Sequence, residues 1–331
     1  MIRIAINGLG RIGRAVLKQA LDHPELEIVA INDLQQPEDL RYLMQYDTAY
    51  GRYPKPVTVE EGQLVIEQQR IKTFQEEEPQ QLPWGDLKID LVFECTGAFN
   101  TRAGIEQHLK AGAKRAIMSA PPKGDDEPAL DMVVPGLNAS DADVFSAASC
   151  TTNCIAPVME ILDRRIGISK ALLNTIHAYT SSQSMVDAPA KKPERGRAGA
   201  VNMVPTSTGA AKAATQILPG LKDRFDGLAV RVPILVGSIA DLTFVARRKT
   251  SVDEVNAILR EEQDSERYRA IVTVTDDPIV SSDIVQDTHA SIVDLAQTKV
   301  VADDLVKVMI WYDNEWGYAA QMIRAAESLK F

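Results

Sequence analysis

Gly8, Gly10 and Gly13 form a G-x-G-x-x-G pattern, and Asp33 follows Gly13 by 20 residues. This spacing suits a pyrophosphate joined to a ribose. The glycines permit a tight turn and close backbone approach. A helix starting at the turn offers free N–H groups and partial positive charge to phosphate. A carboxylate at the end of the next strand accepts hydrogen bonds from a ribose diol. A 2′-phosphate there would be repelled by Asp33, and Leu34 beside it supplies no compensating charge. The pattern therefore favours NAD over NADP. The alternative, a glycine-rich turn without a ligand, leaves the strand, helix and acid unexplained together.

A second segment carries different chemistry. Ser146-Ala147-Ala148-Ser149-Cys150-Thr151-Thr152-Asn153-Cys154 precedes an apolar helical run from Ile155 to Leu162. Ser, Thr and Asn suit a helix start, where the dipole and free N–H groups stabilise a thiolate. That makes Cys150 a candidate nucleophile. A Cys150–Cys154 metal pair lacks further Cys or His ligands nearby, so no metal site is expected. A buried cysteine pair within the helix is the plain alternative. A nucleophile also needs a base, and there are only four histidines. His23, beside Pro24, and His108, in a helical segment, read as surface or packing residues. His289 falls in a loop or strand edge. His177 lies in a strand, Ala171–Tyr179, sharing one face with Leu173, Thr175 and Tyr179. Sequence alone does not bring it to Cys150.

The elements that must position these residues follow from periodicity. Ile2, Ile4 and Ile6 mark a strand. Ile12, Val16 and Ala20 recur at helical spacing until His23-Pro24, and Leu26–Asp33 is a second strand. Strand, helix and strand imply a βαβ unit in a parallel sheet. Asp90–Cys95 and Ala116–Ser119 read as further strands around a helix containing Ile105 and Leu109, and residues 121–128 as a loop. Residues 34–86 are more polar and include the run Gln75-Glu76-Glu77-Glu78-Pro79-Gln80, which reads as a solvated loop or helix end. Beyond 150 come longer β-rich stretches: Ala171–Tyr179, Gly227–Val232, Ile239–Arg247 and Val306–Trp311. Ser181–Arg197 reads as a long ordered loop and Ala319–Leu329 as a helix.

Composition bounds the possibilities. A chain of 331 residues suggests about two domains. Its 46 acidic and 36 basic residues give a net charge of −10, which argues against a dedicated nucleic-acid face. No apolar run approaches the roughly 20 residues of a membrane span. The N-terminus reads as a strand rather than a secretory signal. Three cysteines make no disulfide framework and point to a reducing cytoplasm.

Taken together, several segments resemble the phosphorylating glyceraldehyde-3-phosphate dehydrogenases along nearly the whole chain. They are Ile6–Arg14, Ala148–Cys154, Thr175–Thr180, Pro205–Ala213, Arg231-Val232-Pro233 and Trp311–Tyr318. The resemblance implies an α/β Rossmann domain at 1–149, completed by a C-terminal helix at 315–331, and an α+β catalytic domain at 150–314. It implies that Cys150 forms a thiohemiacetal and then a thioester with a triose phosphate, that His177 is the base, and that inorganic phosphate releases the acyl group. Gly8, Gly10, Arg11, Ile12, Gly13, Asp33, Ser119 and Asn314 resemble NAD contacts. Thr180 and Arg231 resemble ligands of the substrate phosphate. Ser149, Thr151, Thr208 and Gly209 resemble ligands of the attacking phosphate. Arg195 and Arg197 both lie near the family's loop arginine. A homotetramer acting in glycolysis or gluconeogenesis is expected.

The chain also departs from the common pattern. Ile234-Leu235-Val236-Gly237 follows Arg231-Val232-Pro233 where relatives continue Thr-Pro-Asn. Glu77-Glu78-Pro79 replaces Arg-Asp-Pro near the adenine, Ala188 replaces a frequent Leu, and Ala319-Ala320 replaces Ser-Asn. Ala188 accompanies NADP use in some plastid-type relatives, whereas Asp33 favours NAD. The nearest rival activity is that of erythrose-4-phosphate dehydrogenase, whose strand-ending acid is typically Glu. A non-catalytic NAD-binding regulator would be expected to lack Cys150 or His177.

Overall fold

In the computed structural model, which describes residues 1–124 and 129–329, the N-terminal apolar run forms β1 (Ile2–Asn7). The glycine turn follows, then α1 (Arg11–Ala20) and β2 (Leu26–Asn32), with β1 and β2 parallel. The more polar stretch after β2 folds in short pieces. In α2 (Pro37–Gln45), Pro37 suits the first turn, and Leu40 and Met44 are buried. A small ribbon of β3 (Tyr46–Asp47) and β4 (Gly51–Arg52) comes next. An antiparallel meander follows: β5 (Val57–Glu60), β6 (Gln63–Ile66) and β7 (Gln69–Phe74). β7 joins the main sheet parallel to β2.

β8 (Leu91–Glu94) continues that sheet. The helical segment after it consists of two short helices, α3 (Arg102–Ile105) and α4 (Gln107–Lys110). β9 (Arg115–Met118) and β10 (Val144–Ser146) complete the order β10-β9-β8-β1-β2-β7-β6-β5. From β10 to β2 every neighbouring pair is parallel. The residues just past β1, β2 and β9 (Gly8, Asp33 and Ser119) thus lie at carboxyl ends, where open α/β sheets bind ligands. Of the expected 121–128 loop, residues 125–128 lie outside the described residues, as do the last two residues of the expected 315–331 helix.

The second half is built on α5 (Cys150–Arg165), β11 (Ile168–Ala178), β12 (Val204–Ser207), α6 (Ala210–Ile217), β13 (Phe225–Val232) and β14 (Ser238–Ala246). Then come α7 (Val252–Gln263), β15 (Val272–Thr275), β16 (Ser291–Val301), β17 (Leu305–Tyr312) and α8 (Trp316–Glu327). Its mixed sheet runs β12-β13-β11-β14-β17-β16-β15. Alternation along β14 and β17 sends Leu242, Phe244, Val308 and Ile310 into a core with Ile155, Val158, Met159 and Leu162 of α5. The other face of the sheet leaves Leu172 and Leu228 exposed.

By contacts the chain divides into two units. One comprises Met1–Val133, Ala139–Ala148 and Met322–Phe331; the other comprises Val134–Asn138 and Ser149–Gln321. The first has Rossmann architecture, and the second is α+β. No helix among the described residues is long and apolar enough to cross a membrane.

Candidate active site

In the first unit the glycines have separate physical tasks. Gly8 has φ +90°, and a Cβ there would lie 2.8 Å from Thr96 Cα. A Cβ on Gly13 would lie 2.0 Å from the Gly8 carbonyl oxygen, so the helix can approach the turn only without one. Gly10 differs, since open space surrounds its missing Cβ. It is the N-cap of α1 and brings no capping side chain. A helix start without a capping side chain presents backbone N–H groups and the positive end of its dipole, which suit a phosphate. Asp33 stands beside the turn: its Oδ2 accepts the Leu9 N–H at 2.7 Å and its Oδ1 the Gln35 N–H at 3.0 Å. Each oxygen retains a lone pair for a hydroxyl.

This donor set and fixed carboxylate fit a dinucleotide. Arg11 bonds Asp47 at 2.6 Å and lies over the Tyr50 ring, so its side chain braces the neighbouring loop. Ser119 donates its backbone N–H to the Glu94 carbonyl, and its side chain bonds Cys95. The departing residues Glu77 and Glu78 are exposed, next to Glu76, whose N–H donates to Asn32 Oδ1.

In the second unit the cysteine segment forms a helix start. Ser149 is the N-cap of α5, its Oγ accepting the Thr152 N–H at 3.2 Å. Cys150 is the first helical residue. β11 delivers His177 to it: Cys150 Sγ lies 3.6 Å from His177 Nε2. His177 Nδ1 lies 2.7 Å from the Ala178 carbonyl oxygen. Arg231, opposite His177 in the parallel register of β13, places Nη1 2.7 Å from the same Nδ1 and 3.0 Å from that oxygen.

Burial dominates the electrostatics. It lowers the His177 pKa to about 3, and the charges of Arg231 and Arg195 add to this against the opposing Ala178 hydrogen bond. The ring is therefore neutral. The helix-start argument predicts an acidified Cys150 thiol, but burial raises it, outweighing the Arg231 charge and the bonds from Thr151. At rest the sulfur keeps its proton and needs a base.

Tyr312 completes this site and carried no role in the sequence reading. Its hydroxyl bonds Thr151 Oγ1 at 2.9 Å and Thr175 Oγ1 at 2.8 Å, and its ring meets that of His177 edge-on. The inward alternation of Val306, Val308, Ile310 and Tyr312 was the available signal. Thr151, expected at an anion, thus has its hydroxyl bonded inward.

The remaining expected residues occupy distinct places. Arg195 Nε donates to Thr206 Oγ1 at 3.1 Å and its Nη2 to the Ser207 carbonyl at 3.2 Å. Arg197 instead pairs with exposed Asp187 at 2.7 Å. Thr180, just beyond β11, shares a hydrogen bond with Ser182. Thr208 Oγ1 accepts the Ala210 N–H, and Gly209 is the N-cap of α6. Asn314 Oδ1 accepts from the Gly237 N–H at 3.0 Å and Ser238 Oγ at 3.1 Å. Its amide nitrogen keeps its hydrogens for another partner. The departing stretch 234–237 therefore ends in a residue that orients Asn314. Gly237 has φ +91° there, and a Cβ would lie 2.8 Å from the Ser281 carbonyl oxygen.

Residues 2–102 match the family model described as glyceraldehyde 3-phosphate dehydrogenase, NAD binding domain, and residues 149–314 match that of its C-terminal domain. The chain belongs to the glyceraldehyde-3-phosphate dehydrogenase family. Relatives bearing that name span it almost completely. The protein of Clostridium acetobutylicum is 44% identical, covering 98% of this chain and 97% of its own. That of Clostridium pasteurianum is 44% identical, covering 99% and 98%. That of Haloarcula vallismortis is 43% identical, covering 98% and 97%.

Proposed function

We propose that this chain is the NAD-dependent, phosphorylating enzyme that converts glyceraldehyde 3-phosphate to 1,3-bisphosphoglycerate, in glycolysis or gluconeogenesis. The observation that carries this reading is Cys150 Sγ at a helix start, 3.6 Å from the Nε2 of a neutral histidine. Gly8, Gly10, Arg11, Ile12, Gly13, Asp33 and Ser119, with Asn314, hold NAD. When bound, NAD supplies the acceptor for a hydride.

The chain's residues do the rest. With His177 Nδ1–H turned to the Ala178 oxygen, Nε2 accepts the thiol proton as Cys150 Sγ attacks the aldehyde carbon. Nε2 returns that proton to the aldehyde oxygen, giving a thiohemiacetal, and the Cys150 backbone N–H supports this oxygen. Nε2 takes the hydroxyl proton again as the carbon's hydride departs, leaving a thioester. Inorganic phosphate then attacks the acyl carbon. The C–S bond breaks, and the sulfur regains a proton from His177.

Arg231 and Thr180 are assigned to the substrate phosphate. Ser149, Thr151, Thr208, Gly209 and Arg195 are assigned to the attacking phosphate, Thr151 through its backbone and its bond to Tyr312. Arg195 is preferred over Arg197 because Arg197 is engaged with Asp187. Exposed Leu172 and Leu228, on the face of the sheet opposite α5, support subunit contacts of a homotetramer. Three free cysteines, one a nucleophile that oxidation would block, fit a reducing cytoplasm.

The test compares initial rates of NADH formation on glyceraldehyde 3-phosphate and erythrose 4-phosphate, with NAD and phosphate. Faster turnover on the four-carbon aldehyde would overturn the substrate, and full activity of Cys150→Ser would overturn the covalent route.

A further inference from the structure

A network of buried polar side chains runs beneath the glycine turn, with Glu94 at its centre. Glu94 ends β8, Asn7 ends β1, Asn32 ends β2 and His108 lies in α4, and all four are buried. Glu94 Oε2 accepts from Asn7 Nδ2 at 2.6 Å and from His108 Nε2 at 2.9 Å. Its Oε1 accepts the Thr96 N–H at 2.8 Å and the Thr96 hydroxyl.

The two ends of this network fix its protons. Trp84 Nε1 can only donate, and it lies 3.1 Å from His108 Nδ1. Nδ1 is therefore an acceptor, the single ring proton sits on Nε2, and His108 is neutral. At the other end, the Glu76 N–H donates to Asn32 Oδ1, and the Glu76 carbonyl accepts from Asn32 Nδ2. That sets the Asn32 amide. Asn32 Nδ2 also donates to Asn7 Oδ1 at 2.7 Å, which turns Asn7 Nδ2 toward Glu94. Donors converge on Glu94 from both sides, an arrangement that suits the ionised carboxylate, which only accepts. Among the described residues the basic group within ion-pair distance of it is His108, and that ring is neutral. A negative charge is thus buried without a counter-ion, which works against stability.

Its location gives this charge a use. Thr96, held by Glu94, packs against Gly8, whose added Cβ would lie 2.8 Å from Thr96 Cα. Ser119, at the end of β9, donates its N–H to the Glu94 carbonyl. Asp33 at the end of β2 is assigned to a ribose and the turn after β1 to the pyrophosphate. A dinucleotide continuing across the sheet order β2-β1-β8-β9 carries its nicotinamide over the ends of β8 and β9.

We propose that the Glu94 carboxylate makes this site prefer the oxidised cofactor to the reduced one. This rests on the first unit holding NAD. The oxidised nicotinamide ring is positively charged and the reduced ring is not, so a fixed negative charge in low-dielectric surroundings attracts only the oxidised form. Glu94 acts through its field and through Thr96. The preference helps NADH to leave once it has formed.

Calorimetric titration of the full-length protein with NAD and with NADH tests this, on the native chain, Glu94→Gln and Glu94→Asp. In Glu94→Gln the ratio of the NADH Kd to the NAD Kd should fall about tenfold, the effect of one partly screened charge several ångströms away. Glu94→Asp keeps the charge on a shorter arm, so it should weaken both cofactors alike and retain the native ratio. If Glu94→Gln weakens both by the same factor, Glu94 only supports the turn, and the preference is overturned while the cofactor reading stands. If neither cofactor binds the native chain, both readings fall. Should Glu94→Gln fail to fold, ring 15N NMR of His108 in the native chain at neutral pH decides. A proton on Nε2 alone leaves the Glu94 charge uncompensated, as proposed. Protons on both nitrogens would cancel that charge and overturn the preference.

Discussion

Asp33 Oδ2 accepts the backbone N–H of Leu9 at 2.7 Å, tying the carboxylate at the end of β2 to the glycine turn. The same group that would meet a ribose therefore also shapes the loop that meets the pyrophosphate. Asp33→Asn keeps an acceptor for Leu9 but removes the charge, whereas Asp33→Ala removes both. Asp33→Asn is expected to lower kcat/KM with NAD by about tenfold and to raise the NADP-to-NAD ratio, since repulsion of a 2′-phosphate is gone. Asp33→Ala should fall further with both cofactors, because the turn loses its tie. Initial rates across NAD and NADP concentrations check this. An unchanged ratio in Asp33→Asn would show that Asp33 does not select the cofactor.

Arg195 and Arg197 lie two residues apart in a loop, yet only Arg195 bonds the strand that leads to Thr208 and Gly209. Arg197 is held outside by Asp187 in an exposed pair, a type worth little to stability. Arg195→Gln should raise KM for inorganic phosphate by roughly 10- to 100-fold, the loss of one charge-assisted hydrogen bond of about 1.5–3 kcal/mol. Arg197→Gln should stay within about twofold, since it removes only a surface pair. Phosphate titrations at saturating aldehyde and NAD read both. The reverse ranking would exchange the two assignments.

Tyr312 tests a residue found only in the folded chain. Tyr312→Phe preserves shape but removes the hydroxyl that joins Thr151 on α5 to Thr175 on β11. Thr151 and Thr175 are buried, so their hydroxyls lose a partner away from water. The expected cost is about 1–3 kcal/mol in urea unfolding. Because Thr151 follows Cys150 in the first turn of α5, kcat should fall as well, and a stability loss without any change in kcat would limit Tyr312 to a structural role.

What could be read beforehand was local. The glycine turn, α1 and the acid ending β2 lie within one short stretch and obey turn and periodicity rules. Ser149 as a helix cap was legible for the same reason. The meeting of Cys150 with His177 spans 27 residues and depends on where β11 enters the sheet. Residues 34–86 resisted because their strands are short and lie in a meander rather than a repeating pattern. β16 resisted because Ser291–Leu295 is buried on both faces and shows no alternation. The Cys150 thiol shows a different limit. A helix start argues for a lowered pKa, burial raises it, and burial is a property of the fold. The different partners of Arg195 and Arg197, Thr206 and Ser207 for one and Asp187 for the other, exist only once the loop is folded.

The depressed pKa of His177 makes stability fall as the solution is acidified. Unfolded, the ring titrates near 6.5; folded, burial first and the neighbouring arginines next hold it at about 3. Between these values the unfolded chain binds a proton that the folded chain does not, so stability rises with pH through that window and is lost as pH falls through it. From pH 7 to pH 5 this single group should remove about 2 kcal/mol of unfolding free energy. In His177→Asn the titrating group is gone, so the variant should lose about 2 kcal/mol less than the native protein over the same interval. Urea unfolding of both proteins at pH 7 and pH 5 gives the difference directly, with groups common to both cancelling. Equal losses would mean that His177 becomes protonated within the fold, which its closeness to the Arg231 guanidinium should prevent.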